Sequence, residues 1–486
     1  MNIPEGLVTV EGLAVMALLT LMGIGSYIEK EPTAGRKAMM LLPVSFVLVL
    51  LGYWDYPGKI WVTGIIGLSI LVFGIYLFVP AFLFRKKKEA FPKGRIDERT
   101  VMFSRKELKP GSDRFKKYYA EHPEHFRKDE QFRQQPGLLS KDAVFYNSLA
   151  FVAAEANFFI VDALQDRIEP PVSLEKQIIE PEEAADFVKN WLLKIGVKSV
   201  GITLMRDYHW YTVGGRGERY GKPVLPRHRY GIAFTVEMDE EMVKAAPRSS
   251  IIMESAQRYL QAGTIAVQLA KLIASLGYEA RAHIDGNYQV VAPLVARDAN
   301  LGEIGRMGLL MTPELGPRVR VGVVTTNMPL VPDKRIYDDS MEDFCGKCMK
   351  CAENCPSSAI PFEKQTKIDT VRRWQIDSEA CYSYWCKVGT DCGRCMSVCP
   401  YSHADNLMHN MVRWAIKMFP NFRWWAVRMD DLFYGRKPAP QKIPGWLKVI
   451  TQVNSKGKQA DISNQDKPEK CSDLSIKDQN IEQPER

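Results

Sequence analysis

The sequence predicts a mixed helix-and-strand protein carried on membrane-spanning helices, and three observations predict it. Residues 7–84 hold three long apolar runs, residues 140–340 alternate β-branched runs with periodic helical stretches, and nine of the ten cysteines crowd between Phe344 and Pro400. At 486 residues, with 46% apolar and 25% charged residues, the chain exceeds one domain and can bury a sizeable core. The net charge of +8 is modest for this length, and no basic, aromatic-interleaved stripe points to nucleic acid.

The apolar runs are Leu7–Ile28, Ala38–Trp54 and Ile60–Phe84. A spanning helix needs about 17–25 residues, and all three qualify, the second barely. No Lys or Arg precedes the first run and no small-residue cleavage site follows it, so a signal peptide is the weaker reading. Lys30, Arg36 and Lys37 fill the first loop, Lys59 stands alone in the second, and Arg85, Lys86, Lys87 and Lys88 follow the third span. The positive-inside rule then sets the amino terminus outside and everything after Phe84 in the cytoplasm, as part of a multi-pass protein of the cell membrane. Glu11 inside the first span marks a proton or quinone site or, in the preferred reading, reaches the headgroups near the span's outer end.

Lys86–Pro136 is highly charged and broken by Pro92, Pro110, Pro123 and Pro136, which predicts a linker wrapping a domain surface rather than a core element. From Ser140 the pattern turns globular. Asp142–Leu164 is apolar enough for a buried helix, and Pro181 with its following acidic residues opens a second helix that runs to Ile195. Val197–Leu204, Ile232–Val236, Tyr288–Ala292 and Val319–Thr325 are β-branched runs bounded by turn residues, hence strands. The clearest helix is Ser250–Leu276, closed by Gly277 as C-cap. Its Ile252, Ala256, Tyr259, Gly263, Ala266, Ala270 and Ile273 recur at steps of three or four as one buried stripe. Alternating strands and helices make this region α/β or α+β. A Trp-rich helical stretch, Ala404–Phe433, follows the cysteines; from about Gly457 the tail is polar and expected to be disordered, with Cys471 an idle thiol.

Cys345, Cys348, Cys351 and Cys355, with Pro356 next, spell C-x2-C-x2-C-x3-C-P. This spacing presents three soft thiolates from one tight loop to a 4Fe–4S cluster and sends the fourth to the other cluster of a pair. A second run, Cys392, Cys395, Cys399 and Pro400, lacks its first cysteine, which Cys381 or Cys386 supplies. One cluster then takes Cys345, Cys348, Cys351 and Cys399; the other takes Cys392, Cys395, Cys355 and, as the preferred choice, Cys381. Zinc more often pairs two C-x2-C units without such tails, and disulfides scatter through small secreted domains. Thiolate ligands favour a reducing compartment.

Several stretches together resemble the reductive dehalogenases. They are Cys381-Tyr-Ser-Tyr-Trp385, Val388-Gly-Thr-Asp391 and Cys392-Gly-Arg-Cys395-Met-Ser-Val-Cys399-Pro400-Tyr401, with Asp343-Phe344-Cys345 through Cys355-Pro356-Ser357 and Ala359-Ile360. Upstream, Leu301-Gly302-Glu303, Gly305-Arg306, Gly316-Pro317-Arg318-Val319-Arg320 and Thr325–Leu330 match as well, so the likeness runs from about Ser140 to Tyr434. Epoxyqueuosine reductase shares the ferredoxin-plus-corrinoid plan more distantly. The resemblance implies an α+β fold, in which a nitroreductase-like corrinoid-binding domain adjoins a two-cluster bacterial-ferredoxin-like domain, here preceded by three transmembrane helices. The expected division is an anchor over 1–84, a charged linker over 85–139, the corrinoid and substrate domain over 140–340, the two-cluster domain over 341–403, a helical segment completing the core over 404–456 and the tail over 457–486.

The same resemblance implies a base-off, noncovalently held cobalamin, two 4Fe–4S clusters that feed it electrons, and an organohalide whose halogen is replaced by hydrogen. The electron donor is a quinol or a ferredoxin-type protein. No D-x-H-x-x-G run supplies a histidine to cobalt; Asp207-Tyr-His209 begins like one but lacks the glycine. The family's proton-donating tyrosine matches Tyr259, its polar neighbour Asn287, and its basic residue Arg320 or Arg318. Read from the residues alone, Tyr259 is a packed core tyrosine, Asn287 a turn residue and either arginine a carboxylate partner. Trp385 and Tyr401 are read as packing beside cluster ligands; Trp414, Trp424 and Trp425 fill a helix interface in preference to lining a substrate pocket. Family members pair a twin-arginine export signal with a separate three-span anchor protein, whereas here the spans precede the enzyme in one chain, and Glu29-Lys30-Glu31 resembles that anchor's E-x-E. Two other readings remain: a corrinoid reductase for a non-halogenated substrate, close to epoxyqueuosine reductase, and an iron–sulfur electron conduit without its own chemistry.

Overall fold

The structure is a computed structural model that describes residues 3–81 and 89–448. The basic run Arg85–Lys88, the expected disordered tail and Cys471 lie outside the described residues. The chain folds as two compact units, each built from separated segments: Met1–Lys88, Asp338–Cys348 and His403–Pro438 make one, and Glu89–Tyr337, Met349–Ser402 and Ala439–Arg486 make the other. This grouping differs from the expected linear division, because pieces distant in sequence pack together.

The first unit holds helices Ile3–Ile28, Pro32–Tyr53 and Lys59–Leu77, each long and apolar enough to cross a membrane. Small residues line the seams between them: Gly12, Gly23 and Ser26 on the first, Ala34, Gly35, Ala38 and Ser45 on the second, Thr63 and Gly67 on the third are buried. Such residues let backbones approach where no hydrophobic gradient drives association. A Cβ at Gly52 would stand 2.8 Å from the Glu5 carbonyl oxygen, so that approach needs glycine. The large side chains turn outward instead; Leu13, Leu18, Leu21, Ile65, Leu68 and Leu71 are exposed.

The Trp-rich stretch forms two helices, Leu407–Met418 and Phe422–Tyr434, in this same unit. Asn406 caps the first, its Oδ1 accepting from His409 N–H at 3.0 Å. Asn406 Nδ2 and His409 Nε2 both reach the Glu29 carboxylate at the end of the first span. Burial works to raise the Glu29 carboxyl, but the His409 and Asn406 hydrogen bonds and the nearby His409 and His403 charges together outweigh it and lower the group below its ordinary value.

The second unit is built on a four-stranded antiparallel sheet. Its strands are β1 (Ser199–Leu204), β2 (Tyr230–Glu237), β3 (Ala280–His283) and β4 (Val319–Thr326), in the order β1-β2-β4-β3. Side chains alternate between faces. Ile232, Phe234, Val236, Ala282 and Val324 pack against Ala262, Ile265, Ala266, Leu269 and Ile273 of the long helix Ser250–Ser275. Ala233 and Val323 face the other way, toward Trp210, Val295 and Leu310. The long helix ends where Gly277, at φ +86°, lets Tyr278 N–H return to Ile273 O at 3.3 Å.

Three expectations are corrected here. Tyr288–Ala292 is not a strand: only Val290 makes an isolated bridge, to Trp210, and Pro293 in its first turn opens helix Ala292–Asp298. The fourth strand is β3, whose Arg281 and His283 carry no β-branched signal. Nor is the charged segment after residue 89 a surface linker. It folds into helices Met102–Arg105, Asp113–Glu121 and Pro123–Arg133, with Tyr118 and Phe132 buried. Its charges pair internally: Arg105 and Asp129, 1% and 0% exposed, meet at 3.0 Å, and Arg105 also donates to Glu379 at 2.5 Å.

A further helix, Ser148–Arg167, also has the length and apolar character of a span. It packs within the second unit, where Ala150, Phe151 and Ala154 meet Ile252 and Ala256 of the long helix. Its opposite face, with Leu149, Val152 and Phe159, is exposed, so the buried helix expected over Asp142–Leu164 is buried on one side only.

Candidate functional site

Arg320 lies four residues before Val324 on β4, hence on the face that meets the long helix. Ser255 and Tyr259, one helical turn apart, rise from that helix toward it. The Arg320 guanidinium lies 5.0 Å from the Tyr259 ring centroid, and its Nη2 donates to Asp391 Oδ2 at 2.9 Å and to Ser255 Oγ. Ser255 Oγ donates to the same carboxylate. Asp391 stands on the loop just before Cys392, which Thr390 fastens by donating its Oγ1 to Pro247 O at 2.7 Å. One largely enclosed cation therefore joins the tyrosine to the cysteine-bearing loop.

Burial pushes the Tyr259 phenol up, while Arg320 pulls it down. Burial also works to lower the Arg320 guanidinium, but the nearby Tyr259, Asp391 and Tyr288 hold it above its ordinary value. Burial dominates at Asp391 and raises its carboxyl against the pull of Arg320. Tyr288 lies close enough to Tyr259, Asp285 and Arg320 for their charges to act on it, after burial, which raises it well above the usual phenol range. Neither Tyr259 nor Tyr288 makes a hydrogen bond among the described residues, and both are partly exposed. Two phenols beside one guanidinium can donate a proton and hold the resulting negative charge. Tyr288 was not singled out from the sequence; it directly follows the Asp285-Gly286-Asn287 turn, which was the available signal.

Asn287 is partly exposed, with its N–H on Ile284 O at 2.9 Å and its Oδ1 accepting from Arg281 Nη2 at 2.7 Å. Arg318 goes elsewhere. It is 2% exposed and braces Glu237 Oε1, Met238 O and Ser402 O at 2.9, 2.6 and 3.1 Å. His209 is fully buried with Nε2 on Asp298 at 2.9 Å, a core pair rather than an open ligand. Glu11 Oε2 is buried with no hydrogen-bond partner among the described residues. Trp385 packs on Phe103 and Tyr382, and Tyr401 is buried. Of the tryptophan group only Trp425 fills an interface, edge-on to Phe73 at 5.0 Å; Trp414 and Trp424 turn outward.

The nine cysteines among the described residues form no disulfide. Cys381, on helix Ser378–Val388, feels the charges of Cys395 and Cys355, and Cys392 feels those of Cys395, Cys381 and Cys355. Burial, then the Cys355 charge, pushes the Cys395 thiol up to about 12. Four crowded thiols, Cys392 buried and the other three partly so, are a poor resting arrangement for thiolates in water and a good one for iron to ligate. Cys386 is not among them. Five residues turn a helix by about 140°, so it faces away from Cys381 and packs with Met102, Phe132 and Tyr382. Cys345 and Cys348 are buried on helix Asp339–Cys348, and Cys351 and Cys399 are buried beyond it; that set remains an assignment from spacing. For a polar macrocycle beside Tyr259, the fitting observation is that Arg320 Nε and Asp391 Oδ1 are buried without hydrogen-bond partners among the described residues.

Residues 344–403 match the 4Fe-4S dicluster domain. The chain is 38% identical over 214 residues to the tetrachloroethene reductive dehalogenase of Sulfurospirillum multivorans, a match covering 42% of each chain. A solved reductive dehalogenase, described with a mechanism for B12-dependent dehalogenation, superposes with a TM-score of 0.55 at 27% identity, over 64% of this chain and 46% of that one. Over those stretches the chain is similar to reductive dehalogenases. The likeness to epoxyqueuosine reductase of Bacillus cereus is narrower, 32% over 121 residues, which is 22% of this chain and 28% of that protein. The chain spans less than half the length of each of these relatives.

Proposed function

We propose that the chain is a membrane-anchored reductive dehalogenase that takes up two electrons and a proton, releases halide from an organohalide and leaves hydrogen in its place. One observation carries the reading: the Tyr259 phenol, free of hydrogen bonds to the described residues, faces a guanidinium that is itself tied to the loop of Cys392. Cobalamin, noncovalent and base-off, would supply the reducing power for the carbon–halogen bond, and Cys345, Cys348, Cys351 and Cys399, with Cys355, Cys381, Cys392 and Cys395, would hold the two 4Fe–4S clusters that feed it electrons.

The chain's own residues handle the proton. Tyr259 donates from its hydroxyl to the carbon. Burial keeps that phenol protonated beyond the ordinary value, so the acid is present at neutral pH. Arg320 then holds the phenolate, and Asp391 and Ser255 hold Arg320. Tyr288, close to the donor, and Asn287, fixed by Arg281 in the turn just before it, orient the substrate. Electrons come from a quinol or a ferredoxin-type donor. The basic residues around the spans put the catalytic part on the cytoplasmic side.

Tyr259→Phe tests the reading. General-acid loss lowers turnover by about 10²–10⁴, measured as halide released from a panel of organohalides, with iron and cobalt contents equal to wild type. Undiminished halide release from that variant, or no halide from any substrate with a fully loaded enzyme, overturns it.

A further inference from the structure

We infer that the two helices Leu407–Met418 and Phe422–Tyr434 rest in the headgroup layer of the bilayer, so that a lipid surface covers their outer face. The inference relies on Ile3–Ile28, Pro32–Tyr53 and Lys59–Leu77 crossing a membrane.

The chain reverses between consecutive spans. The end of the first, the start of the second and the end of the third therefore emerge on one side. Polar and aromatic contacts of the helix pair with the spans fall there, and Phe433 packs with Ala34 and Ala38 near the start of the second span. Glu29, after the first span, takes Asn406 and His409. Lys37, in the second turn of the second span, donates to Leu432 O at 2.7 Å. At the third span Trp425 meets Phe73, Asn421 donates to Tyr76 O at 2.9 Å, and Phe419 meets Phe78 at 5.1 Å. Anchored at three span ends on one side, the pair lies across the membrane surface rather than standing away from it.

Its outward face has the chemistry of that layer. Leu407, Met411 and Trp414, at steps of four and three, are 77%, 45% and 57% exposed. Trp424, Met429 and Leu432 continue the face from the second helix. Lys417 and Arg428 sit beside them, Arg428 over the Trp424 ring at 5.0 Å. Tryptophan with an apolar body and a polar N–H, flanked by cations that reach phosphate, suits the headgroup boundary. The face also continues the exposed apolar surface of the spans, which favours lipid over a second copy of the chain.

The test uses the full chain with its cofactors, reconstituted in phosphatidylcholine and phosphatidylglycerol vesicles brominated either near the headgroup end or near the terminus of the acyl chains. Emission from Trp414 and Trp424 is read as wild type minus Trp414→Phe/Trp424→Phe. Emission from Trp54 and Trp61, exposed at the opposite ends of the spans, is read in the same way as a control for insertion. Shallow bromine quenches the Trp414/Trp424 emission by about half or more and deep bromine much less, as for an interfacial helix. Leu407→Glu/Met411→Glu, on the same face, reduces that quenching. If brominated lipid quenches Trp54 and Trp61 but not Trp414 and Trp424, water or a second copy covers the face and the inference is overturned. If neither pair is quenched, the spans themselves are not inserted, and the membrane reading falls together with the inference.

Discussion

Replacing Arg320 by Gln removes the charge that faces the Tyr259 ring at 5.0 Å. A unit charge at that distance, in an effective dielectric of about 20, is worth about 3 kcal/mol to a phenolate. If the phenolate is fully formed in the transition state, turnover falls roughly 200-fold. The assay is halide release per cobalt under a chemical reductant, which bypasses the natural donor, with iron and cobalt contents measured on the same samples. Arg320→Lys keeps the charge but loses the forked grip on Asp391 and Ser255, so it recovers part of the rate. A loss smaller than about threefold in Arg320→Gln, with cofactors intact, would mean that the guanidinium does not act on the reacting proton. Equal losses in the Gln and Lys variants would instead show that only its hydrogen-bond geometry matters.

Cys381→Ser loses about half the iron and acid-labile sulfide, because one of two clusters loses a ligand; Cys386→Ser loses none, and the reverse pattern exchanges the two assignments. Arg105→Met leaves Asp129 and Glu379 facing a buried gap, so it costs about 3–5 kcal/mol and lowers the thermal midpoint of the holoprotein. No change would return residues 89–139 to the status of a surface linker. Burial works to raise Glu379, but the hydrogen bonds from Arg105, Ser378 and the backbone, with the Arg105 charge, together override it and hold the group at about 2, against an ordinary 4.5. A depressed carboxyl stabilises the fold above about pH 4.5 and loses that contribution as pH falls toward 2; after solvent screening this is about 1–2 kcal/mol. The difference in thermal midpoint between wild type and Glu379→Gln should accordingly shrink from about pH 5 to about pH 2.5, and a constant difference counts against the pairing.

The cysteine runs were legible because ligand loops are local: a gap of two or three residues sets where a thiol points whatever the rest of the chain does. Arg318 and Arg320 were not separable, since period two puts both on one face of a strand. The structure separates them because β4 begins at Val319, which leaves Arg318 in the preceding turn, bound to Glu237 and two carbonyls. Charge density in the segment after residue 89 reads as solvation in the sequence, whereas Arg105 pairs with Asp129 and Glu379 inside the fold. Strand β3 was hidden for a similar reason: Arg281 pairs with Glu169 and His283 with Thr325, polar side chains kept in place by partners far away in sequence. Tyr288 was passed over because it was assigned to a strand that does not form.

The carboxylate at the end of the first span binds two residues that come about 380 positions later. In a two-protein arrangement, the same contact would be an interface that forms and dissociates with concentration. Here it is intramolecular, at a high and fixed effective concentration. Severing the chain after its third helix would therefore release no self-sufficient anchor: the His409 ring, the Asn406 amide and the Lys37 ammonium would each lose the group they bind, and both pieces would emerge incomplete.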